Sequence, residues 1–394
     1  MHSSPHLPVP LPADDAPGLY LHVPFCSHIC PYCDFNTYSG QEGLIPAYVD
    51  ALLAEMQLTR DKVDDAGQAP TLFLGGGTPS LLPAGDIQRI IQAARDLYDL
   101  QPDAEITSEV NPESVDLEYL TAIRAAGINR LSLGIQSQRR AGLQVLGRGH
   151  KSVQAGSAYQ AARAAGFDNI SLDFIFGWPG QTADDWSADL DTILDWKPEH
   201  VSLYSLIVEP STPMAAAVQR GILTVVDDDS VADFYEMAAE RLGSAGWEHY
   251  EIANFARESR YRSRHNQLYW QNGHYHGFGA GAHSHIGTLR GSNVRLPSTY
   301  IETVAAGRRP LAMAETIDKA TSMGESMMLG LRLLVDGVSE SDFEARHGVS
   351  MRATYAGQIE RFTAIGMLEW HGERLRLTAQ GMLLANDICA EFLP

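Results

Sequence analysis

Cys26-Ser-His-Ile-Cys30-Pro-Tyr-Cys33 packs three of the chain's four cysteines into one short stretch, directly after the strand-like run Gly18-Leu-Tyr-Leu-His-Val23. Three thiols cannot pair among themselves, and the fourth, Cys389, lies far away in an apolar helical stretch, so a disulfide framework fits badly. Closely spaced thiolates are soft ligands suited to an iron-sulfur cluster or to zinc. The spacing C-x3-C-x2-C supplies three ligands, so a cubane cluster held here keeps one iron open for a substrate or cofactor. His28, inside the same loop, would instead complete a closed Cys3His zinc site. Taken alone, this stretch leaves both readings standing.

Outward from that loop, short β-rich runs alternate with longer amphipathic ones as far as about residue 208. Strands are predicted at 18–23, 71–74, 105–109, 130–135, 170–176 and 200–206, and helices near 44–62, 84–98, 116–126, 152–165 and 182–196. Six strands joined by five helical crossovers make a run of βα units around a parallel sheet. Arg124-Ala-Ala-Gly-Ile-Asn-Arg-Leu-Ser-Leu133 is echoed by Arg163-Ala-Ala-Gly-Phe-Asp-Asn-Ile-Ser-Leu172. In each copy a glycine, Gly127 or Gly166, is expected to end a helix in the left-handed conformation before a buried strand. The fold class is therefore α/β, either a partial (β/α)6 barrel of the TIM type or an open doubly wound sheet. Both collect ligands at the C-terminal strand ends, where the cysteine loop begins.

Beyond residue 210 the pattern changes. A helix is predicted over 230–245 and a strand over 247–252. Arg264-His-Asn-Gln-Leu-Tyr-Trp270 and Gly273-His-Tyr-His-Gly-Phe-Gly-Ala-Gly-Ala-His-Ser-His285 follow, and together they hold five of the fourteen histidines. From 315 the order is helix, a short helix capped by Ser339 with Asp342 three residues on, a helix over 352–365, a hairpin over 367–377 turning at His371-Gly372, and a last helix from Ala379. That order resembles a winged helix. Residues 315–394 carry 7 Lys+Arg against 12 Asp+Glu, which points to an interface with protein or with the barrel and not with DNA. The expected domains are a disordered leader (1–17), a barrel (18–210), a barrel extension with the His/Gly-rich segment (211–314) and a C-terminal winged-helix-like α+β domain (315–394).

A length of 394 residues suits about two or three domains at ~150 residues each, and a hydrophobic share of 44% permits a sizeable core. The formal net charge of −20 opposes binding to a nucleic-acid backbone or an anionic membrane surface. The proline-rich leader lacks the basic and apolar regions of a signal peptide, and no apolar run reaches the ~18 residues of a membrane helix. An integral membrane protein is not expected. With few cysteines and no export signal, the expected compartment is the reducing cytoplasm.

Gly75-Gly-Gly-Thr-Pro79 closes the second predicted strand, and successive glycines let backbone N–H groups approach a ligand and cradle an anion or an amino acid. Later strands end on Glu109, Gln136 and Asp173, with Arg148 in the loop beyond the fourth. Carboxylate, amide and guanidinium around one barrel mouth suit a zwitterionic head group and a ribose, although any single one serves equally well as a helix cap or rim ion pair.

Together these residues resemble the radical S-adenosylmethionine superfamily, in the branch that contains oxygen-independent coproporphyrinogen III oxidase. Tyr20-Leu-His-Val-Pro-Phe-Cys26 matches the first strand of that branch, C-x3-C-x2-C its cluster loop, and Gly75-Gly-Gly-Thr-Pro79 its methionine-binding glycines. The resemblance implies a 4Fe-4S cluster on Cys26, Cys30 and Cys33, with S-adenosylmethionine chelating the fourth iron. It also implies that Tyr20 lies near the sulfonium and that Gly76, Gly77, Thr78 and Glu109 line the cofactor site. Tyr32, Gln136, Arg148 and Asp173 match positions that in the oxidase contact one or other of two bound S-adenosylmethionine molecules.

The chain departs from the oxidase in one place. There the third cluster cysteine is followed two residues later by another cysteine, and here that position is Phe35. Cys30-Pro-Tyr-Cys-Asp-Phe-Asn36, the H-N-x-x-Y-W signature at His265–Trp270 and the C-terminal helices and wing are similar instead to the HemW-type heme chaperones. That resemblance implies a cytoplasmic protein, open to homodimer formation, that binds heme and delivers it to a respiratory or other hemoprotein, with a flavodoxin or ferredoxin as electron donor. The cluster would then serve assembly, dimer contact or a triggering step. His265, with Tyr269 and Trp270 beside it, is the expected heme ligand, while His274, His276, His283 and His285 read as buttresses of the rim. Two alternatives stand: oxidative decarboxylation of coproporphyrinogen III propionates by an adenosyl radical, and a zinc-stabilised barrel without redox role.

Overall fold

The computed structural model describes residues 16–62 and 68–394, so nearly all of the expected leader lies outside the described residues. All six predicted strands form, as β1 (Gly18–Val23), β2 (Thr71–Gly76), β3 (Glu105–Val110), β4 (Arg130–Gln136), β5 (Ile170–Phe176) and β6 (His200–Ser205). Helices α1 (Ile45–Arg60), α2 (Ala84–Tyr98), α3 (Leu117–Ala126), α4 (Ser152–Ala164) and α5 (Ala183–Trp196) connect them. Local chemistry sets the helix ends. The Asp116 side chain accepts the Tyr119 N–H at the start of α3, and Thr182 and Asp185 form a reciprocal capping box on α5. Gly127 (φ 123°) and Gly166 (φ 86°) follow α3 and α4 in the positive-φ conformation expected of the repeated unit.

The strands are parallel and in chain order, and their apolar side chains, such as Leu19, Leu21, Val23, Leu72, Leu74, Ile170 and Leu172, are fully buried. One face of all six strands contributes to a single cavity, through Tyr20, Phe73, Glu109, Ser132, Asp173 and Ser202. Helices α1, α2, α3 and α4 pack successively on one another outside. The sheet therefore curls around that cavity as a partial barrel and not as a doubly wound sheet.

The segment expected as a separate extension is continuous with this sheet. Beyond β6 lie β7 (Glu248–Glu251) and β8 (Asn254–Ala256), with β8 antiparallel to β6. On the other side, β9 (Tyr275–Phe278) runs parallel to β1, and β10 (His283–Ile286), β11 (Leu289–Asn293) and β12 (Leu311–Thr316) continue antiparallel. The parallel run thus has a seventh strand drawn from the His/Gly-rich tract, and β1 is central, not an edge.

A buried knot of hydrogen bonds fixes that junction. The Gly279 N–H and the Asn293 and Tyr300 side chains donate to Glu55 of α1 at 2.8, 2.6 and 2.6 Å. Tyr48 donates to the His22 carbonyl and receives the Ala280 N–H, each at 2.8 Å, while Asn36 donates to the Ala280 carbonyl at 2.9 Å. Burial pushes the Glu55 carboxyl up to about 7 despite these donors.

The C-terminal unit has its own core, which includes Met327, Leu331, Phe343, Met351, Leu368, Leu375 and Cys389. Three expectations need correction there. The helix expected over 352–365 is two pieces, Met351–Thr354 and Ala356–Ala364, broken at Tyr355. The hairpin β14 (Leu368–His371) and β15 (Arg374–Leu377) turns at Gly372-Glu373, because His371 pairs with Arg374 and Gly372 takes φ 63°. Val338–Ser339, as β13, adds a third strand beside β15. The boundary also shifts, since β12 carries the barrel sheet to Thr316. The unit rests on the barrel, with Leu334 N–H donating to the Tyr250 carbonyl at 2.9 Å and Ile252 N–H to the Arg332 carbonyl at 3.1 Å.

A Cβ at Gly279 (φ +100°) would lie 2.5 Å from the His22 carbonyl oxygen and 2.6 Å from the Tyr48 hydroxyl. Gly279→Ala is expected to cost roughly 1–3 kcal/mol in a denaturant melt. Gly85→Ala, in α2 with open space around it, is expected to leave stability unchanged or slightly raised.

Candidate functional site

The chain leaves β1 through Phe25–Cys26, which pairs with Tyr38–Ser39 and closes the cysteine loop into a lobe over the C-terminal strand ends. Cys30 is buried, Cys26 and Cys33 half-buried, and none is in a disulfide. All three face a cavity of about 560 Å³, within the ~300–1,000 Å³ range of ligand sites. Thr78 Oγ1 lies 3.6 Å from Cys26 Sγ and Arg148 Nη1 lies 3.7 Å from Cys30 Sγ. Burial pushes the Cys26 thiol up to about 11 and raises Cys33. His28 turns to the Gly147 carbonyl instead, at 3.1 Å, so the Cys3His arrangement is not formed. Among the described residues no three His, Cys, Asp or Glu side chains gather as around a single ion.

The glycine tract has a steric reason. A Cβ at Gly77 would lie 2.6 Å from the Phe25 carbonyl oxygen and 2.9 Å from Cys26 Sγ, and one at Gly75 would lie 3.2 Å from the Glu109 carboxylate. Gly76 N–H donates to Glu109 Oε2 at 3.0 Å. A chain of contacts then ties the tract to the cysteines. Arg148 Nη2 donates to Asn111 Oδ1 at 2.6 Å, and Asn111 Nδ2 donates to Thr78 Oγ1 at 3.0 Å.

Two buried carboxyls stand within reach of one another's charge. Burial, with the Asp173 charge added, pushes Glu109 up to about 8, against the Gly76 N–H that favours its ionised form. Asp173 is also raised by burial, although Ser132 and Ser171 donate to it. It sits in the middle of β5, opposite Gly134, and not at the strand end. Gln136 takes φ 64° where β4 slips its register against β5, which reaims the end of the strand. Among the described residues its Oε1 is buried without a partner, as is Arg148 Nε. Tyr20 hydrogen-bonds His22 Nδ1 at 2.9 Å, and Tyr32 is raised by burial beside Arg148 and Cys30.

All nine residues expected at a cofactor site, Tyr20, Tyr32, Gly76, Gly77, Thr78, Glu109, Gln136, Arg148 and Asp173, line this one cavity with the cysteines. Sequence reading missed Asn111, Ser132 and Arg130, which also line it. Arg130 carries the clearest missed signal, a buried cation opening the strand Arg-Leu-Ser-Leu-Gly-Ile-Gln. An unpartnered amide oxygen and an unpartnered guanidinium N–H facing three thiols fit a zwitterionic amino acid docked beside a thiolate-bound cluster.

His265 is placed differently from expectation. It lies on α6 (Arg264–Trp270), a short helix capped by Ser263, whose first N–H groups at Arg264 and His265 donate to Glu105 at 3.0 and 3.1 Å. Glu105 and Thr71 open their strands, so α6 closes the N-terminal end of the barrel, opposite the cysteine loop. Both imidazole nitrogens are engaged, with Thr71 Oγ1 at 2.7 Å and the Tyr269 hydroxyl at 2.8 Å, and the ring stacks on Phe73 at 5.1 Å. Ligation of heme iron by His265, the expected role, would therefore require one of these two hydrogen bonds to break. Trp270 faces the other way, toward the C-terminal unit, where Arg332 lies 5.8 Å from its ring. The His-Asn-x-x-Tyr-Trp helix therefore plugs the barrel floor and braces the C-terminal unit.

Residues 20–193 match the Radical SAM superfamily model, and residues 317–384 match the HemN C-terminal domain. The Heme chaperone HemW of Mycobacterium tuberculosis is 40% identical over 95% of this chain and 94% of its own length. The Heme chaperone HemW of Bacillus subtilis is 36% identical over 95% of this chain and 98% of its own. Coproporphyrinogen III oxidase (HemN) from Escherichia coli superposes with a TM-score of 0.83 at 23% identity, covering 96% of this chain and 90% of that one, a likeness of fold. The chain belongs to the HemW-type heme chaperone family of the radical SAM superfamily.

Proposed function

We propose that this protein acts in the cytoplasm as a heme chaperone. It binds heme and passes it to a recipient hemoprotein, respiratory or other, while holding a 4Fe-4S cluster on Cys26, Cys30 and Cys33 with S-adenosylmethionine at the remaining iron. The observation that carries this reading is the convergence of three unpaired cysteines and nine polar or glycine positions on one cavity at the C-terminal strand ends. When bound and reduced by a flavodoxin or ferredoxin, such a cluster supplies one electron to the sulfonium of S-adenosylmethionine.

The chain's own groups have separable tasks. Arg148 and Gln136 would offer a donor and an acceptor to the amino-acid end of the cofactor, and the Gly76–Thr78 backbone, which passes close to the cysteine loop at Gly77, would contribute to the same site. Tyr20 and Phe73, with ring centroids 6.2 Å apart, give the cavity an aromatic wall. Phe35, 69% exposed, stands where the oxidase branch carries a further cysteine, and it puts an apolar surface at the cavity mouth instead of a thiol. That substitution favours carriage over oxidation, and homodimerisation through the cluster-bearing face is compatible with it.

Anaerobic reconstitution is expected to give a full cluster's iron and sulfide in the wild-type chain and in Cys389→Ser, whose thiol is buried in the C-terminal core. Ser at Cys26, Cys30 or Cys33 is expected to lose both. Stoichiometric zinc without sulfide would contradict the cluster. Hemin is expected to bind while coproporphyrinogen III is left unconverted, and protoporphyrinogen IX formation with repeated release of 5′-deoxyadenosine would identify an oxidase instead.

The Glu109 carboxyl gives a pH test. Its pKa rises from 4.5 to about 8 on folding, so its contribution to stability is complete below 4.5 and is lost as pH rises through 8. The thermal midpoint of the apo-protein is expected to fall between pH 5 and pH 9, with a shallower slope in Glu109→Gln. Asp173→Asn, which removes the like charge, is expected to move the Glu109 titration downward in carboxyl-stretch infrared difference spectra.

A further inference from the structure

A second cavity, of about 780 Å³, adjoins the first and shares Tyr20, Phe35, Gly76, Glu109 and Tyr269 with it. Its far wall is the inward face of the β9–β10–β11 sheet. Register places His285 opposite both Tyr275 and Arg290, and His283 opposite Ser292, so these side chains share that face. The volume falls in the ~300–1,000 Å³ range of small-molecule sites.

The histidines around it are not equivalent. His22 is bonded through both nitrogens, to the Tyr20 hydroxyl and the Asn36 carbonyl, each at 2.9 Å. His265 is bonded through both as described. His276 is buried against Tyr98 and Phe278, and His285 is buried and bonded to the Gly287 backbone. His274 receives the Gly287 N–H at 3.0 Å. His283 is exposed, lines the cavity, and has no hydrogen bond or ion pair among the described residues.

Its position is not accidental. A Cβ at Gly281 (φ +77°) would lie 2.5 Å from Asn36 Nδ2, and Gly279 packs against His22 and Tyr48, so the loop carrying His283 fits only because glycines let it seat against the cysteine lobe. Arg295 sits on the same cavity, oriented by a 3.2 Å bond from its Nε to Asn36 Oδ1, and its terminal nitrogens have no partner among the described residues. Arg290, by contrast, is committed to Glu325 at 2.7 Å.

We propose that this second cavity is the heme pocket, with His283 as the axial ligand to iron and Arg295 as the partner of a propionate. The assignment rests on the heme-carrying reading above and names its site. Tyr269 and Tyr275, edge to face at 4.7 Å, supply aromatic surface for the porphyrin, and an imidazole donates its lone pair to iron without any change in oxidation state. An exposed ligand at the cavity mouth also suits handover. A recipient's own ligand reaches the iron there without the barrel opening, which burial at His265 or His276 would require.

The test is titration of the full-length, cluster-reconstituted protein with hemin and, separately, with metal-free protoporphyrin IX. His283→Ala is expected to weaken hemin binding roughly tenfold or more, the scale on which a disturbed metal site loses affinity, and to shift the Soret band. Protoporphyrin IX, which has no iron to ligate, is expected to bind as in wild type. Imidazole added to His283→Gly is expected to restore the wild-type Soret position, which separates loss of a ligand from loss of fold, and His265→Gln is expected to keep that position. Arg295→Ala is expected to weaken hemin and protoporphyrin IX alike, while leaving iron etioporphyrin, which lacks carboxylates, unaffected. An unchanged hemin titration in His283→Ala, an equal loss for the iron and metal-free porphyrins, or a failure of imidazole rescue would overturn the assignment. A wild-type chain that takes up no hemin would instead sink the chaperone reading.

Discussion

The structure depends on one tight junction, the backbone of Gly279–Gly281 wedged between β1, α1 and the cysteine lobe. Glu55, Tyr48, Asn36 and Asn293 all bond to it or to each other there, with Glu55, Tyr48 and Asn293 themselves buried. A buried carboxylate held by several donors is costly to expose and costly to leave unpaired, so the junction is all-or-none. Because of it, β1 has a parallel strand on each side, and the cysteine lobe that follows β1 is anchored from both the barrel and the extension. The two cavities meet at this wedge.

The polarity of the barrel explains the division of labour. Side chains beyond the C-terminal strand ends are free to bind ligands, since no further strand pairing claims their backbone, and the cysteines, glycines, Gln136 and Arg148 lie there. The N-terminal ends must be sealed. The α6 helix does this with its N–H groups on Glu105 and its imidazole on Thr71, a set of interactions that stabilises the barrel floor while Trp270 meets the C-terminal unit. A motif rich in histidine and aromatics can therefore be a structural brace.

Much of this was legible in the sequence. The six strands follow from alternation of β-rich and amphipathic runs, the helix ends from Asp116, Thr182, Gly127 and Gly166, and the cysteine loop, the glycine tract, Glu109, Gln136, Asp173 and Arg148 from spacing and polar residues in the strand pattern, whereas Tyr20 and Tyr32 come only from the family resemblance. What sequence hides is where lone pairs go. Nothing in the string His265-Asn-Gln-Leu-Tyr-Trp270 says that both imidazole nitrogens are taken by Thr71, nearly two hundred residues away in the chain, and by Tyr269. Nor does the tract at 273–285 declare a parallel strand, because its histidines and glycines are poor strand formers that pairing with β1 overrides. The same fold that occupies both ring nitrogens of His265 leaves those of His283 without a hydrogen bond among the described residues.

Phe35 and Tyr269 border both cavities, so a ligand in one alters the surface seen by a ligand in the other. The account nonetheless stands or falls on the three-cysteine lobe leaving one iron without a protein ligand. Mössbauer spectroscopy of the anaerobic ⁵⁷Fe-reconstituted protein, with and without S-adenosylmethionine, tests it most directly. The account predicts that one iron in four has a distinct subspectrum that shifts when S-adenosylmethionine is added. Four equivalent irons unmoved by S-adenosylmethionine, or no cluster iron at all, would contradict it.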